Sequence, residues 1–571
     1  MTIKNLKNHQ WAILLALIAG IIVAFPQFYL RYDNQAVYQG IEEIGTEDEI
    51  AWLSRVREVY DGHPLLNNPY LKEGKNDPYL YQPLGSNIIA SLGKLFTLDI
   101  NNAILLSRFL FPFLVFLLVY GFVLLFTKQK ITALATSSFF MLGNCLFARK
   151  AIFQILQGDS PSATYLNYTR PVNPLMTHFF FFGFLLCFWL FLEKKQWRWG
   201  ILSTLILGLS FYDYFYTWTF LFAFLGASIA IFILRKRWHD AKRIGLVLSG
   251  ALLIALPFFL NLYRATLHPN YAEVSQRFIV EGKGIVLGLA VPLLLVMFLL
   301  CFPRKQKEQY FFGLALVIAP FIVLNQQLIT GKILMTDHYH WYFHLPLAMI
   351  FLLMISFFWI SKLNRPMLQR IFAILIIVSS ILTSLLVQNN SYAKNKDRIA
   401  DSQKYGPVME WLSQNAPKDE VVFANEETSH LVVIYTPLNV FYHAVARMTL
   451  AATTERLENT IFLYYRLDGL AQDKITDVFF KDREKISHLV YGMYYRGDRE
   501  MPDELLLGIM QKCQDSFSLS TNDFFREMMD KYQVSYLVWD KKQNPQWQLD
   551  QYLFLEKVTE IGDFSIYKNA L

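Results

Sequence analysis

The sequence is poor in charge. Only 17% of its 571 residues are Asp, Glu, Lys or Arg, whereas about a quarter is usual for a soluble protein. Hydrophobic residues make up 54% of the chain, and the mean hydropathy is positive at +0.28. We therefore expect an integral membrane protein. The formal net charge of +7 is modest and gives no reason to expect a nucleic-acid partner.

Cysteine is scarce as well. Three of the four cysteines, Cys145, Cys187 and Cys301, fall inside apolar runs, and Cys513 alone lies in the polar C-terminal part. A disulfide within that part is excluded, and no Cys-x-x-Cys or Cys/His cluster suggests structural zinc. The C-terminal part also has no glycine-rich phosphate loop and no nucleophile elbow. Nothing in it looks catalytic on its own.

Long apolar runs are what the sequence does have. A run of about 20 residues crosses a ~30 Å hydrocarbon core. We take the first run as an uncleaved helix and split the block 199–234 into two short helices at Tyr212-Asp213-Tyr214. Eleven transmembrane helices are predicted, at about 11–30, 104–127, 131–148, 174–193, 199–213, 214–234, 243–263, 284–303, 309–326, 344–361 and 367–388.

The distribution of lysine and arginine gives the orientation. With the N-terminus in the cytoplasm, the inner segments carry roughly 18 of these residues and the short outer loops 7, as the positive-inside rule requires. This places the loop 31–103 and everything after about residue 389 outside the cytoplasm. We predict a multi-pass protein of the plasma (inner) membrane.

The predicted fold has two parts. Residues 1–388 form a polytopic α-helical membrane domain of about eleven helices, and residues 389–571 form a soluble α/β domain outside the cytoplasm. Apolar and β-branched runs predict strands in the second part, and helical periodicity lies between them. The predicted strands are 420–424, 430–435, 488–491, 534–539, 554–558 and 564–567, and the predicted helices are 403–415, 449–467, 503–514 and 521–532.

The first loop contains an acidic triplet, Glu47-Asp48-Glu49, at the start of a helical pattern. Thr46 and Glu49 have the spacing of a capping box, and acids in a first turn suit the helix dipole. Alternatively, one carboxylate, Asp48, is a general base or cation ligand in a cavity. The apolar face of the helix, which would lie on the membrane surface, consists of Ile50, Leu53, Val56 and Tyr60.

After the first predicted helix, the outer loop contains Asp48-Glu49, Trp52, Arg55, Asp61-Gly62-His63-Pro64 and Asn68-Pro69-Tyr70. A long outer loop with this pattern resembles the first loop of the GT-C superfamily of membrane glycosyltransferases. This includes relatives of the protein mannosyltransferases, aminoarabinose transferases and oligosaccharyltransferases. The resemblance implies that Asp48, with Glu49 beside it, is the catalytic base or metal-binding carboxylate, although Asp33, Glu42 and Glu43 are alternative acids.

The outer loop 149–173 holds two further candidates. Arg170 stands at the mouth of a helix, where a guanidinium can bind phosphate oxygens bidentately. It would otherwise extend towards lipid headgroups. By resemblance to the oligosaccharyltransferases, Asp159 would be a second cation ligand beside Asp48. The cofactor is unknown, with a divalent cation, Mg or Mn, as the candidate.

Two more polar groups interrupt apolar surroundings. Asp213 is a single carboxylate within 36 apolar residues, where it marks a polar site or simply faces water. Lys332, His338 and His340 lie in a loop rich in aromatic residues, which is also typical of a membrane-interface belt. Lys332 and His340 are candidate phosphate partners, whereas Asp337 and His340 alone provide too few ligands for a metal.

Together these features predict transfer of a sugar from a polyprenyl-phosphate donor to a glycan, lipid or protein acceptor, by an inverting enzyme surrounded by membrane lipids. An oligosaccharyltransferase-like enzyme is an alternative. That family has a Trp-Trp-Asp motif, whereas this sequence has only Trp539-Asp540 near its end, which favours a monosaccharide donor. The sequence also leaves open a transporter or lipid flippase, although no internal repeat is seen, and a non-catalytic envelope assembly protein.

Overall fold

The computed structural model describes residues 7–33, 35–42, 47–143, 165–492, 494–495 and 499–570. Its first part is helical. The α-helices there are Gln10–Asp33, Glu47–Tyr60, Leu84–Leu95, Ile100–Thr127, Lys130–Leu142, Leu175–Lys194, Trp197–Ser210, Phe215–Leu234, Trp238–Ile254, Leu256–Thr266, Tyr271–Gln276, Ala290–Cys301, Lys307–Leu324, Gln327–Thr330, Thr336–Tyr339, Leu345–Lys362 and Pro366–Ser402. A 3₁₀ turn, Asn167–Thr169, and a π-helical turn, His340–His344, complete this part.

Each of the eleven predicted membrane segments overlaps a helix, which confirms a polytopic α-helical architecture. Within the described residues, seven helices are long and apolar enough to cross a membrane, or eight if a bent pair counts as one span. The count of eleven spans is therefore not confirmed. Three of the other predicted segments form helices that are too short for this criterion: Lys130–Leu142, Trp197–Ser210 and Ala290–Cys301.

Two breaks in the helices have clear sequence causes. The block 199–234 is split where it was predicted to split, with Tyr212-Asp213-Tyr214 between Trp197–Ser210 and Phe215–Leu234. The predicted span 243–263 is instead a pair of helices, Trp238–Ile254 and Leu256–Thr266, that bend by 54°. Pro257 lies at the start of the second helix, where its missing N–H breaks the hydrogen-bond ladder.

The C-terminal part is a mixed α/β structure, as predicted. Its five-stranded sheet has the order Asn439–Val440, Val421–Phe423, Val534–Asp540, Phe564–Asn569, Leu555–Ile561. The first three strands in this order pair in parallel. From Val534–Asp540 onwards the pairing is antiparallel. The α-helices around it are Gly406–Asn415, Glu426–Tyr435, Thr454–Leu467, Ile475–Lys481, Arg483–Tyr491, Asp503–Ser516 and Thr521–Lys531, with 3₁₀ turns at Gln403–Tyr405, Ala444–Met448, Gln472–Lys474, Pro545–Trp547 and Leu549–Gln551.

Two predicted strands, 430–435 and 488–491, are wrong, because both segments are helical. The run Val432-Val433-Ile434 has strand propensity, but a strong helix start precedes it. The Asn425 side chain accepts a hydrogen bond from the Thr428 N–H, and two glutamates occupy the first turn. A cap of this kind satisfies an amide that the helix leaves free, and burial then favours the helix over the local β-propensity.

The two faces of the sheet bury different surfaces, since alternate residues of a strand point in opposite directions. Phe423 and Leu537 pack into the core beneath the C-terminal helices. Val422 and Val538 belong to a second core, which continues through the first loop into the membrane helices. The C-terminal part is thus packed directly against the first loop, where the Val440 N–H donates to the Tyr70 carbonyl at 2.9 Å.

Candidate active site

The helix Glu47–Tyr60 begins with the acidic triplet of the first loop. Leu53 and Val56 are buried, and the helix packs against Leu84–Leu95 and against Glu426–Tyr435 of the C-terminal part. Its apolar face therefore contacts protein, so the prediction of a helix lying on the membrane surface is wrong. Thr46, the predicted cap, and Glu43 lie outside the described residues.

Asp48 and Glu49 have different surroundings because neighbours on a helix point about 100° apart. The Asp48 carboxylate is largely exposed, and its Oδ2 lies 3.1 Å from Arg170 Nη1. Glu49 is buried and pairs with Arg108, with 3.2 Å between Glu49 Oε2 and Arg108 Nη2. Of the two acids, Asp48 is accessible to a substrate.

Arg170 is positioned by a buried arginine. It follows the 3₁₀ turn Asn167–Thr169, whose last carbonyl, that of Thr169, accepts a hydrogen bond from Arg108 Nε at 2.8 Å. Arg108 thus holds both the acidic helix and the segment that presents Arg170. Sequence reasoning missed Arg108, although a single arginine inside the run 104–127 was the available signal.

An aromatic cluster adjoins the Asp48–Arg170 pair. The His338 ring stacks on Tyr216, with ring centroids 4.6 Å apart, and its Nδ1 is hydrogen-bonded to the Tyr214 hydroxyl. His338 interacts electrostatically with both Asp48 and Arg170, as does Tyr342, whose hydroxyl lies beside the Arg170 guanidinium. The structure therefore brings together three of the predicted polar segments.

Asp213 lies against the same group of loops but makes a different kind of site. Its carboxylate is buried, and neither oxygen has a hydrogen-bond partner among the described residues. It faces the start of the helix Leu84–Leu95, where a Cβ on Gly85 would lie 3.2 Å from Asp213 Oδ1. Burial raises the pKa of Asp213 to about 8, so the carboxyl is mostly protonated at neutral pH. The expectation that Asp213 faces water is wrong.

The remaining predicted residues are placed elsewhere or lie outside the described residues. Lys332 is exposed in a short strand paired with Val280–Glu281. His340 Nδ1 is 3.3 Å from His344 Nδ1, so this ring faces another histidine. Among the described contacts, none joins Lys332 or His340 to Asp48. Asp159 lies in 144–164, outside the described residues.

The described residues do not by themselves fit a divalent cation. They contain no group of three or more His, Cys, Asp or Glu side chains positioned to hold a metal ion. Asp48 pairs with a guanidinium, whereas Mg²⁺ and Mn²⁺ prefer several oxygen ligands. The site instead offers an exposed carboxylate beside an arginine, an arrangement that can accept a proton and bind a phosphate.

No family model matches the chain, and no curated protein sequence does. Among solved structures, it is similar to ArnT from Cupriavidus metallidurans in the apo state, with 12% identity, 99% of this chain and 98% of that chain covered, and a TM-score of 0.49. For ArnT bound to undecaprenyl phosphate the identity is 11%, the coverage is 98% of each chain, and the TM-score is 0.47. For the Archaeoglobus fulgidus oligosaccharyltransferase in the apo form the identity is 14%, 93% of this chain and 70% of that chain are covered, and the TM-score is 0.46.

Proposed function

We propose that the chain is a membrane glycosyltransferase that moves a sugar from a polyprenyl-phosphate donor to an acceptor hydroxyl or amide outside the cytoplasm. One observation carries the proposal: the exposed Asp48 carboxylate lies 3.1 Å from the Arg170 guanidinium at the mouth of the helical bundle. A proton acceptor and a phosphate-binding group are thus adjacent where a lipid-linked substrate would enter from the bilayer.

In this reaction Arg170 binds the donor phosphate and Asp48 accepts the proton of the acceptor group. The acceptor oxygen or nitrogen forms a bond to the anomeric carbon, and the bond from that carbon to the phosphate oxygen breaks, with inversion. The electron pair leaves with the polyprenyl phosphate, whose added charge Arg170 neutralises. Exposed ion pairs are weak, about 0–1 kcal/mol, so the phosphate can take Arg170 from Asp48 and free the carboxylate.

Tyr214, Tyr342 and His338 form the wall beside this pair. Aromatic faces pack against the apolar face of a sugar ring, while their hydroxyl and ring N–H groups supply hydrogen bonds. We assign to this wall the orientation of the donor sugar, which converts binding into a productive geometry. The helix Glu426–Tyr435 of the C-terminal part packs against the helix Glu47–Tyr60, which carries Asp48.

The test uses the full-length protein in lipid nanodiscs with a panel of polyprenyl-phosphate monosaccharides and an envelope extract as acceptor. Release of polyprenyl phosphate is measured, because it is common to every acceptor. Loss of a general base typically costs 10²–10⁴ in rate. We expect Asp48→Asn to lower release by about that factor and Glu556→Gln, an exposed acid on the edge strand, to leave it unchanged.

A second measurement isolates phosphate binding. Charge-assisted hydrogen bonds contribute about 1.5–3 kcal/mol, which corresponds to roughly tenfold or more in affinity. We expect Arg170→Gln to weaken polyprenyl-phosphate binding by at least that factor and Lys332→Gln to leave it unchanged. Undiminished release in Asp48→Asn would contradict the proposal, and donor movement across the bilayer without cleavage would indicate a transporter instead.

A further inference from the structure

A second polar cluster lies where the first loop meets the C-terminal part. We call Arg55, Tyr70 and His443 the buried donor cluster. The Tyr70 and His443 rings stack with centroids 4.3 Å apart, and the Arg55 guanidinium lies 3.7 Å from the centroid of the Tyr81 ring. Tyr81 thus lies between Arg55 and the stacked pair, because its ring centroid is 6.4 Å from that of Tyr70.

Each member of the buried donor cluster has a polar atom without a partner among the described residues: Arg55 Nε, Tyr70 Oη and His443 Nε2. All three side chains are more than nine-tenths buried. The Val445 N–H donates to His443 Nδ1 at 3.1 Å, so a neutral His443 carries its proton on Nε2. Arg55 Nε–H and Tyr70 Oη–H are donors too, and three buried donors are therefore unsatisfied.

The electrostatic surroundings of these donors are positive. Burial lowers the pKa of His443, and the charges of Arg55 and Arg447 lower it further, so the ring is neutral. The same two arginines act on Tyr81. An acid lies at the edge of the cluster, where Glu426 Oε1 is 3.9 Å from His430 Nε2. His430 and Arg447 are only partly buried, so the cluster reaches towards solvent.

The cluster has a defined relation to Asp48. Asp48 and Arg55 are seven residues apart on one helix, which places them on the same face, about 10 Å apart along the axis. Trp52 lies between them and contributes to the Arg55 site, since the guanidinium is 4.6 Å from the centroid of its ring. One face of the helix thus joins the exposed carboxylate to the unsatisfied donors.

We propose that the buried donor cluster binds an oxyanion, a phosphate or carboxylate group, carried by the acceptor. An unsatisfied buried donor costs about 1–3 kcal/mol, and an anion that accepts hydrogen bonds from these donors would remove that cost in a positive field. That the anion belongs to the acceptor rests on the proposed function. The acceptor would then present its reacting group to Asp48 while its anionic group, about 10 Å away along the helix, is held by Arg55, Tyr70 and His443.

The anion site is tested without any transfer reaction. Full-length protein carrying Arg170→Gln, which removes the proposed donor-phosphate site, is placed in phosphatidylcholine nanodiscs. Inorganic phosphate and acetate are titrated in separate arms by calorimetry, which distinguishes phosphate from carboxylate recognition. We expect saturable binding of at least one anion.

Two conservative variants in the same background locate the site. Tyr70→Phe keeps the stacked ring and removes only the hydroxyl, and Arg55→Lys keeps the charge and removes Nε–H. We expect each to weaken anion binding about tenfold, the loss that one charge-assisted hydrogen bond brings. Tyr536→Phe is the control, because the Tyr536 hydroxyl already donates a hydrogen bond, to the carbonyl of Asn415 at the end of the helix Gly406–Asn415.

The outcomes separate the two proposals. No saturable binding of either anion, or binding that both Tyr70→Phe and Arg55→Lys leave unchanged, would overturn the anion site. Anion binding that depends on Tyr70 and Arg55, together with full transfer activity in Asp48→Asn, would leave the anion site in place and reject the assigned transfer mechanism. Thermal unfolding of each variant shows that the loss does not come from misfolding.

Discussion

At the scale of single residues, Asp48 and Glu49 are adjacent carboxylates with opposite environments. Glu49 and Arg108 are both almost fully buried and pair with each other, whereas Asp48 is two-thirds exposed. Removing one partner of a buried ion pair leaves an uncompensated charge, while an exposed pair contributes little. The structure thus supports a structural role for Glu49 and leaves Asp48 for chemistry.

This difference predicts separate effects on stability. We expect Glu49→Gln to lower the free energy of unfolding by about 3–5 kcal/mol and Asp48→Asn to lower it by less than about 1 kcal/mol. Thermal unfolding of the full-length protein in detergent measures both. The double variant Glu49→Gln with Arg108→Gln removes the charge as well as its partner, so it should recover part of the loss. Equal losses for the two single variants would contradict this assignment.

Asp213 predicts a pH dependence. Its pKa rises from 3.8 in the unfolded chain to about 8 in the folded protein. Between these values the unfolded chain is ionised and the folded protein must take up a proton, so the destabilisation begins above about pH 4 and is complete above about pH 8. Asp213→Asn removes it. We expect the melting temperature of this variant to exceed that of the parent by a margin that grows from about pH 5 to pH 8.

The control for Asp213 is Asp473→Asn, because Asp473 is exposed. Its melting temperature should follow that of the parent at every pH. A constant difference between Asp213→Asn and the parent across this pH range would show that Asp213 is ionised in the folded protein. That result would contradict its burial without a hydrogen-bond partner among the described residues.

At the scale of elements, the helices Leu84–Leu95 and Ile100–Thr127 approach closely at Gly93. A Cβ added there would lie 2.6 Å from Ala103 Cβ and 3.1 Å from the Tyr60 ring. Tyr60 ends the helix that carries Asp48, so Gly93 sets the spacing of three helices. Small residues permit such close approaches between helices. The position of the acidic helix Glu47–Tyr60 therefore depends on the absence of a side chain at Gly93.

The contact predicts opposite results for two glycine substitutions. Gly93→Ala should destabilise the protein by about 1–3 kcal/mol through overpacking and should reduce polyprenyl-phosphate release by displacing the acidic helix. Gly245→Ala has open space around the new Cβ and should be neutral or stabilising by up to about 1 kcal/mol, since alanine favours helix. Melting temperatures and release rates check both, and a neutral Gly93→Ala would contradict the close approach.

At the scale of the whole molecule, loops distant in sequence meet at the two ends of the helical bundle. Near one end, Lys130 Nζ donates to the Asn8 carbonyl at 3.1 Å, and Gln129 is hydrogen-bonded to Gln369. These segments were all predicted to be cytoplasmic. The Asp48–Arg170 pair likewise joins two predicted outer loops. The contacts agree with the predicted grouping of the loops, while the side that each group faces and the division of the chain at residue 388 stay predictions.

Orientation is testable by cysteine labelling in intact cells. Glu556→Cys lies on the C-terminal edge strand and Lys194→Cys at the lysine-rich end of a membrane helix, both exposed. We expect a membrane-impermeant maleimide to label Glu556→Cys in intact cells and Lys194→Cys only after permeabilisation. The parent chain corrects for its native cysteines. The reverse pattern would place the Asp48 site in the cytoplasm.

Much of the architecture could be predicted because hydropathy and charge are local properties. Apolar runs located the membrane helices, and Tyr212-Asp213-Tyr214 marked the division between two of them. The first-loop helix was also predictable from its periodicity. Local propensity was misleading at 430–435, where the cap at Asn425 and burial make a β-branched run helical.

The sequence by itself determined a polytopic membrane protein with a C-terminal α/β part and an acidic helix in its first loop. Only the tertiary structure decided which carboxylate is exposed. Arg108 and Arg170 approach the acidic helix from positions 59 and 122 residues away, one inside the bundle and one at its mouth. Packing turns Glu49 towards Arg108 and Asp48 towards Arg170, because adjacent residues of a helix point about 100° apart. No local sequence pattern specifies which of the two acids meets the buried partner.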